Sequence, residues 1–408
     1  MYIKIRRIAA GSTPFVSGIL AILLAIAIVS SPESSFAASL QGLKLWWTLV
    51  FPALLPFLIL SEMLTASGFV HGFGVLLEPL MNRIFRLPGA GGWILAQGIT
   101  AGFPGGAGGV AQLHKQGSIT DKEAARLASL AHFASPVTLL IVVGVALLHS
   151  PGVGYGLLVI HWLSGLLASF TASRWNSKSK DIPSAQKKTT KRKSASLPRR
   201  ILQASADARK QDGRSFGKLL GESVATAVQT LMIVGGYMIM FAVISSIVTS
   251  LFPMLPSALP ASLLEIHLGA GAISTGAINV NAGSASGIVG LALLSAALGW
   301  SGLCAQIQVL TVLKSAGVKF LPFAAVRLLH GLYAFGLTLL FWKPLLALRV
   351  AVLPVLAGSE TLQSQTVKTA DLWSFFPKLL GLQALLLLLL TLLSLAVYLL
   401  TAIRRQRV

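Results

Sequence analysis

Two carboxylates and four side-chain amides stand in apolar surroundings in this 408-residue chain. Glu62 lies in Phe57-Leu58-Ile59-Leu60-Ser61-Glu62-Met63-Leu64, and Glu265 in Leu263-Leu264-Glu265-Ile266-His267. An ionisable group inside a membrane span costs about 2.5–3.5 kcal/mol on insertion scales, so each acid should face a cavity or a partner. Such an acid can contact a solute or a cation, or carry a proton. It can also reach the interface from a helix end, or cap N–H groups freed at a helix break. Asn279 and Asn281 lie in Gly276-Ala277-Ile278-Asn279-Val280-Asn281-Ala282-Gly283, and Gln306 and Gln308 in Cys304-Ala305-Gln306-Ile307-Gln308-Val309. Amides donate and accept, which suits uncharged polar groups such as a sugar hydroxyl or a base edge. They also bond helix to helix in membranes.

The elements that hold these groups are unusual. The stretch Gly98-Ile99-Thr100-Ala101-Gly102-Phe103-Pro104-Gly105-Gly106-Ala107-Gly108-Gly109 is apolar yet full of helix breakers. Gly costs about 1 kcal/mol and Pro about 3 kcal/mol in a helix interior. Lipid cannot satisfy the backbone groups a break releases, so such a segment is buried in protein or lines a wet cavity. Broken segments of this kind point to a transporter's binding site. Residues 102–109 and 269–283 are therefore expected to be non-helical or helix-breaking, and to approach each other near the bilayer midplane. Glu62, Gly102, Pro104, Gly105, Glu265, Asn279, Asn281, Gln306 and Gln308 form the candidate substrate-binding set. Pro136, after His132 and Ser135, frees a carbonyl or simply kinks its helix. No Ser-His-acid arrangement, phosphate loop or intramembrane metal set occurs in the sequence. It predicts no catalytic site, no metal, no cofactor and no enzyme.

Bulk properties agree with a membrane setting. Mean hydropathy is +0.78, 54% of residues are hydrophobic and 11% are charged. Several apolar runs reach the roughly 20 residues that cross a bilayer as a helix. The net charge is +21. Residues 174–218 hold fourteen Lys/Arg against three Asp, a net of +11. Lys4, Arg6 and Arg7 add to one end, and Arg404, Arg405 and Arg407 to the other. Basic loops stay in the cytoplasm, which puts both ends and the central loop on that side. They also suit anionic lipid headgroups, and no nucleic-acid partner is expected. Cys304 is the single cysteine, which excludes an intramolecular disulfide and a Cys-based metal site.

The reading is all-α and polytopic, with about eight transmembrane helices plus two re-entrant or broken segments in two pseudo-repeats. Residues 1–39 form an N-terminal membrane anchor. Its basic start, its apolar run from 15 to 29 and its Ser35-Phe36-Ala37 outline a signal peptide, here expected to stay uncleaved. The other spans fall near 40–66, 128–149, 152–173, 222–252, 286–312, 322–345 and 379–402. The broken pieces fall near 89–112 and 259–285. This gives a first membrane repeat over 40–173, a basic loop over 174–218, a second repeat over 219–345, and an extracytoplasmic loop with a final helix over 346–408. The loop is expected to be largely disordered, with a helical turn near its C-terminal end. The halves echo each other: Gly102-Phe103-Pro104-Gly105, Gly117 and Ala124-Ala125-Arg126-Leu127 against Gly299-Trp300-Ser301-Gly302, Gly317 and Ala324-Ala325-Val326-Arg327-Leu328. Each half has one upstream acid, Glu62 or Glu265. Duplicated halves with matching breaks build a site between repeats.

Several motifs together resemble the YlbJ family of sporulation integral membrane proteins. They are Phe51-Pro52-Ala53-Leu54-Leu55-Pro56-Phe57-Leu58-Ile59-Leu60-Ser61-Glu62, Leu77-Glu78-Pro79-Leu80-Met81, Leu87-Pro88-Gly89-Ala90-Gly91, Gly102-Phe103-Pro104-Gly105-Gly106-Ala107 and Gly299-Trp300-Ser301-Gly302-Leu303-Cys304-Ala305-Gln306-Ile307-Gln308-Val309. The similarity runs from about residue 40 to about residue 345. It implies a nucleoside-recognition Gate domain, an endospore-forming bacterium as source, a multi-pass place in the cell membrane and a role in the spore cortex. It also implies a small polar, nucleoside-like solute as partner. The chain departs from the family where a basic residue is replaced by Gly108, at Ala131-His132-Phe133-Ala134-Ser135-Pro136, and at Leu264-Glu265-Ile266-His267-Leu268-Gly269. Three functions follow: transporter-like movement of a small polar solute, a non-transporting scaffold of the sporulation machinery, and, last, an envelope enzyme. Homo-oligomerisation is left open.

Overall fold

Among the described residues, five helical stretches are long and apolar enough to cross a membrane: Pro32–Ala66, Pro151–Arg174, Phe216–Leu251, Ala285–Val312 and Phe320–Pro344. Three shorter apolar helices, Gly18–Ser30, Thr138–Leu147 and Ala384–Leu400, join them. The computed structural model describes residues 15, 18–175, 196–277, 284–356 and 376–406, and among these there is no strand. The chain is an all-α, polytopic membrane protein.

In order, α1 (Gly18–Ser30) leads to α2 (Pro32–Leu45), which passes through a π-helical turn, Trp46–Val50, into α3 (Phe51–Ala66). Ser35-Phe36-Ala37 lies inside α2. Next come α4 (Phe69–Leu80), α5 (Gly92–Ala101), α6 (Gly105–Lys115) and α7 (Asp121–Leu130). A π-helix, Thr138–Leu147, then precedes α8 (Pro151–Trp175). The second half contains α9 (Leu197–Asp212), α10 (Phe216–Leu251), α11 (Ala258–Leu264) and α12 (Ile266–Ala272). It continues through α13 (Ala285–Trp300), α14 (Gly302–Val312), α15 (Phe320–Leu356) and α16 (Phe376–Gln406).

Close helix contact is carried by small residues. A Cβ on Gly299 would lie 2.9 Å from the Gly331 Cα, so α13 and α15 meet backbone to backbone. In a membrane, where lipid is as apolar as leucine, this approach gains van der Waals contact that bulky residues would forbid. On the other side α10 packs along α2 and α3, and the Trp46 indole donates to the Leu231 carbonyl at 2.9 Å.

The structure differs from the sequence expectation in five places. Residues 102–104 are irregular, but Gly105–Gly109 opens α6, because the break releases the chain into a new helix rather than a long loop. In the second half the interruption is at Glu265, between α11 and α12; Gly269 is helical, as are the residues up to Ala277, and 278–283 lie outside the described residues. The stretch 286–312, expected as one span, is one span-length apolar stretch, Ala285–Val312, but it carries an unexpected interruption at Ser301, whose φ of 67° ends α13. The stretch 128–149 is likewise interrupted over 131–135, ahead of Pro136. Finally, residues 197–212 of the basic loop form a 16-residue helix instead of a turn. The expected disorder of 176–195 concerns residues outside the described set.

Lipid offers these breaks no hydrogen bonds, and the protein supplies them. At the first tip, Phe103 N–H donates to the Phe133 carbonyl at 2.9 Å. In 131–135, Ala134 N–H donates to His161 Nε2 at 2.9 Å. Buried Arg327 donates to the carbonyls of His132 (2.6 Å) and Ser129 (2.5 Å), where α7 ends. A cation at a helix C-terminus also meets the negative end of the helix dipole. Arg126 does the same at an earlier helix end, donating to the Arg86 (3.3 Å) and Phe85 carbonyls. At the second tip, the Gln306 amide donates to the Trp300 carbonyl at 2.9 Å, and the Trp300 indole donates to the Leu263 carbonyl at 3.0 Å.

Candidate solute site beside the first broken helix pair

Four helices each turn a helical-period stripe, mostly of small and polar residues, toward one space. On α3 these are Leu58, Ser61, Glu62 and Thr65; on α5, Trp93, Gln97 and Ala101; on α6, Gly105, Gly108, Gly109 and Gln112; on α10, Ser223, Thr226, Ala227 and Thr230. Spacings of three and four put each set on one helix face. The stripes enclose a cavity of about 500 Å³. That volume lies within the 300–1,000 Å³ range of small-molecule sites.

Two side chains that line this cavity each hold a polar atom without a partner. The Gln97 Oε1 and the His71 Nδ1 are buried without a hydrogen bond. A buried acceptor left unmatched costs about 1–3 kcal/mol, a cost a guest donor would remove. His71 stacks on Trp93, with ring centroids 4.6 Å apart. Gly109 lets α6 close on this pair: a Cβ there would sit 2.8 Å from both Gln97 Oε1 and the Trp93 ring.

The mouth is crossed by α9. Ala208, Gln211 and Asp212 line the cavity from this helix. It docks on α4 without clearance: a Cβ on Gly72 would lie 2.2 Å from Ser205 Oγ, and Gly68 sits at φ 81° against the Ser205 backbone. Arg200 is ion-paired with Glu78. Arg214 gathers three acids, Asp212 at 2.5 Å, Glu222 at 3.1 Å and Glu62 at 3.3 Å. The Arg214 hydrogen bond holds the Asp212 carboxyl below the usual carboxylate range, and Asp212 raises Arg214 in turn.

A second cavity of about 40 Å³ lies beyond the first tip, and Leu58, Ala101, Pro104 and Thr230 line both spaces. Glu265, His267, Cys304 and Gln308 face it from the second half, and Thr100, Ser135 and Thr138 from the first.

The sequence set is therefore divided. Glu62, Pro104 and Gly105 line the large cavity; Pro104, Glu265 and Gln308 line the small one. Gly102 takes φ 73° and packs on Ser135, behind the tip. Gln306 is fully buried and holds the second tip. Asn279 and Asn281 lie outside the described residues. Glu62 and Glu265, paired by sequence, face different cavities. Sequence reasoning missed His71, Trp93, Gln97, Gln112 and Arg214. The periodic stripes Ser61-Glu62-Thr65 and Ser223-Thr226-Thr230 were the available signal for the wall they share. Among the described residues, no three His, Cys, Asp or Glu side chains gather as a metal site.

Most of these walls belong to one recognisable unit. Residues 47–151 match the Gate family model, described as nucleoside recognition. The chain is also 36% identical over 345 residues to the sporulation integral membrane protein YlbJ of Bacillus subtilis strain 168, covering 79% of this chain and 81% of that protein. This chain belongs to the YlbJ family of sporulation integral membrane proteins. No solved structure matches it. Within this YlbJ family member, α3 to α7 and the unwound 131–135 fall inside the Gate match, whereas α9, α10 and the second broken pair lie outside it.

Proposed function

We propose that this protein recognises a small polar solute of nucleoside type in the large cavity and moves it across the cell membrane during spore cortex formation in an endospore-forming bacterium. The observation that carries this reading is the cavity of about 500 Å³ whose Gate-matched wall includes two side chains with an unpartnered polar atom, Gln97 Oε1 and His71 Nδ1. A base or sugar supplies the donors or acceptors such atoms need. By the distribution of basic residues, the α9 mouth faces the cytoplasm. Tritiated uridine uptake by the purified full-length protein in liposomes tests this. Uptake above protein-free liposomes, competed by unlabelled nucleosides, is expected; none with any of the common nucleosides would overturn it.

A second reading has one observation in its favour. The docking of α9 and the Arg214 cluster close the mouth, which suits a non-transporting scaffold of the sporulation machinery. Uridine that binds but never crosses would favour it.

A further inference from the structure

The small cavity is where separately broken elements meet: Pro104 of the first tip, Ser135 of the unwound stretch, and Glu265 between α11 and α12. Its volume of about 40 Å³ admits roughly one or two waters, not a nucleoside. Glu265 is its single lining carboxylate and is 2% exposed. One oxygen accepts the Leu268 N–H at 2.8 Å, and the other lies 2.8 Å from His267 Nδ1. A carboxylate at Nδ1 makes that nitrogen the N–H donor, so Nε2 of the neutral ring is a bare acceptor. Nε2 is buried and has no hydrogen-bond partner. An unmatched buried acceptor beside a space for water is an open place for a proton.

Among the described residues that line the small cavity, Glu265 and His267 apart, none carries a charge. From α14 come the Cys304 thiol and Gln308, whose amide donates to the Cys304 sulfur at 3.2 Å. From α10 comes Thr230, and from the first half Thr100, Ser135 and Thr138, the last two bonded to each other at 2.9 Å. A proton entering past Pro104 therefore has one basic destination that a carboxylate already backs.

We propose that Glu265 and His267 form a proton-binding site coupled to solute movement. One proton adds to His267 Nε2, the resulting imidazolium is held by the Glu265 carboxylate, and the same proton later leaves from Nε2. This rests on the transport reading above. The test uses the full-length protein in liposomes containing a pH-sensitive dye, with an imposed uridine gradient. Wild type is expected to move protons with uridine. His267→Asn and Glu265→Gln are expected to carry uridine with at least a tenfold lower ratio of protons to uridine. An unchanged ratio in His267→Asn overturns the inference, and so does wild-type uridine movement without protons. Glu265→Gln keeps an oxygen for the Leu268 N–H but sets an amide N–H against His267 Nδ1 and can cost folding, in which case His267→Asn, whose amide can still donate to Glu265, decides alone. A wild type that moves no uridine overturns the transport reading, and this inference with it.

Discussion

His132 Nε2 lies 2.9 Å from Ser301 Oγ, joining the unwound stretch of the first half to the second tip. The Ser301 hydroxyl donates to the Trp300 carbonyl at 2.5 Å, so it accepts from His132 Nε2–H. Both residues are buried, at 3% and 1% exposure. Ser301→Ala leaves a buried N–H unmatched, at a cost of about 1–3 kcal/mol. A lower melting temperature in detergent is the expected result, whereas an unchanged one would show that the bond is not holding the halves together.

Arg327 should matter more to folding than to transport. Its buried guanidinium donates to two carbonyls at the end of α7 and to His330 Nδ1 at 3.2 Å. Lys cannot reproduce that fork. Arg327→Lys should lower the amount of folded protein in the membrane, and the surviving protein should bind uridine normally. Normal levels would show that the α7 carbonyls find other donors.

Parts of this arrangement were legible in the sequence, for physical reasons. Gly102-Phe103-Pro104 announces a break because Gly and Pro carry their conformational preference with them. Ser301 does not: its left-handed φ is imposed by Gln306, Trp300 and His132, which are brought to it by tertiary packing. The basic loop hid α9, because the narrow face of Ile201, Ala204, Ser205 and Ala208 is set among charges and is matched only by Gly72 of α4 and Gly68 just before it, more than 120 residues away in sequence. Arg214, predicted only as part of a charged loop, reaches Glu62 for the same reason.

The α9 strap gives a direct test of access. Cys304 is buried, so introduced cysteines have little competition. Gly72→Cys with Ser205→Cys places two sulfurs where a Gly72 Cβ already reaches Ser205 Oγ, and an oxidant should cross-link them in the full-length protein. Cross-linking is expected to slow uridine entry from the α9 side at least tenfold, reversed by reductant. Equal entry with the strap locked would place the solute path elsewhere.

The Asp212–Arg214 contact should be insensitive to pH over the physiological range. Asp212 is held below its ordinary value, chiefly by the Arg214 hydrogen bond. A depressed carboxylate contributes stability above its unfolded value, about 3.9, and loses it as pH falls through the lower folded value. Hydrogen exchange of α9 should thus be flat from about pH 5 to 8, apart from intrinsic rates, and rise only in stronger acid. Asp212→Asn should loosen α9 at all these pH values. A loosening of wild-type α9 between pH 8 and 5 would point to a different titrating group.

The central claim, that the Gate-matched cavity is a solute site, is tested most directly by equilibrium binding of tritiated uridine to the purified full-length protein. Gln97 lines the cavity and its Oε1, packed against Gly109, has no hydrogen-bond partner, so Gln97→Leu removes an acceptor that a side-chain rotation would present to a guest, without removing an internal bond. A lost hydrogen bond is worth about 0.5–1.5 kcal/mol, or roughly two- to thirteenfold in affinity. Saturable wild-type binding, weakened by that factor in Gln97→Leu with the melting temperature unchanged, is the predicted result. Binding equal in the two proteins would contradict the account.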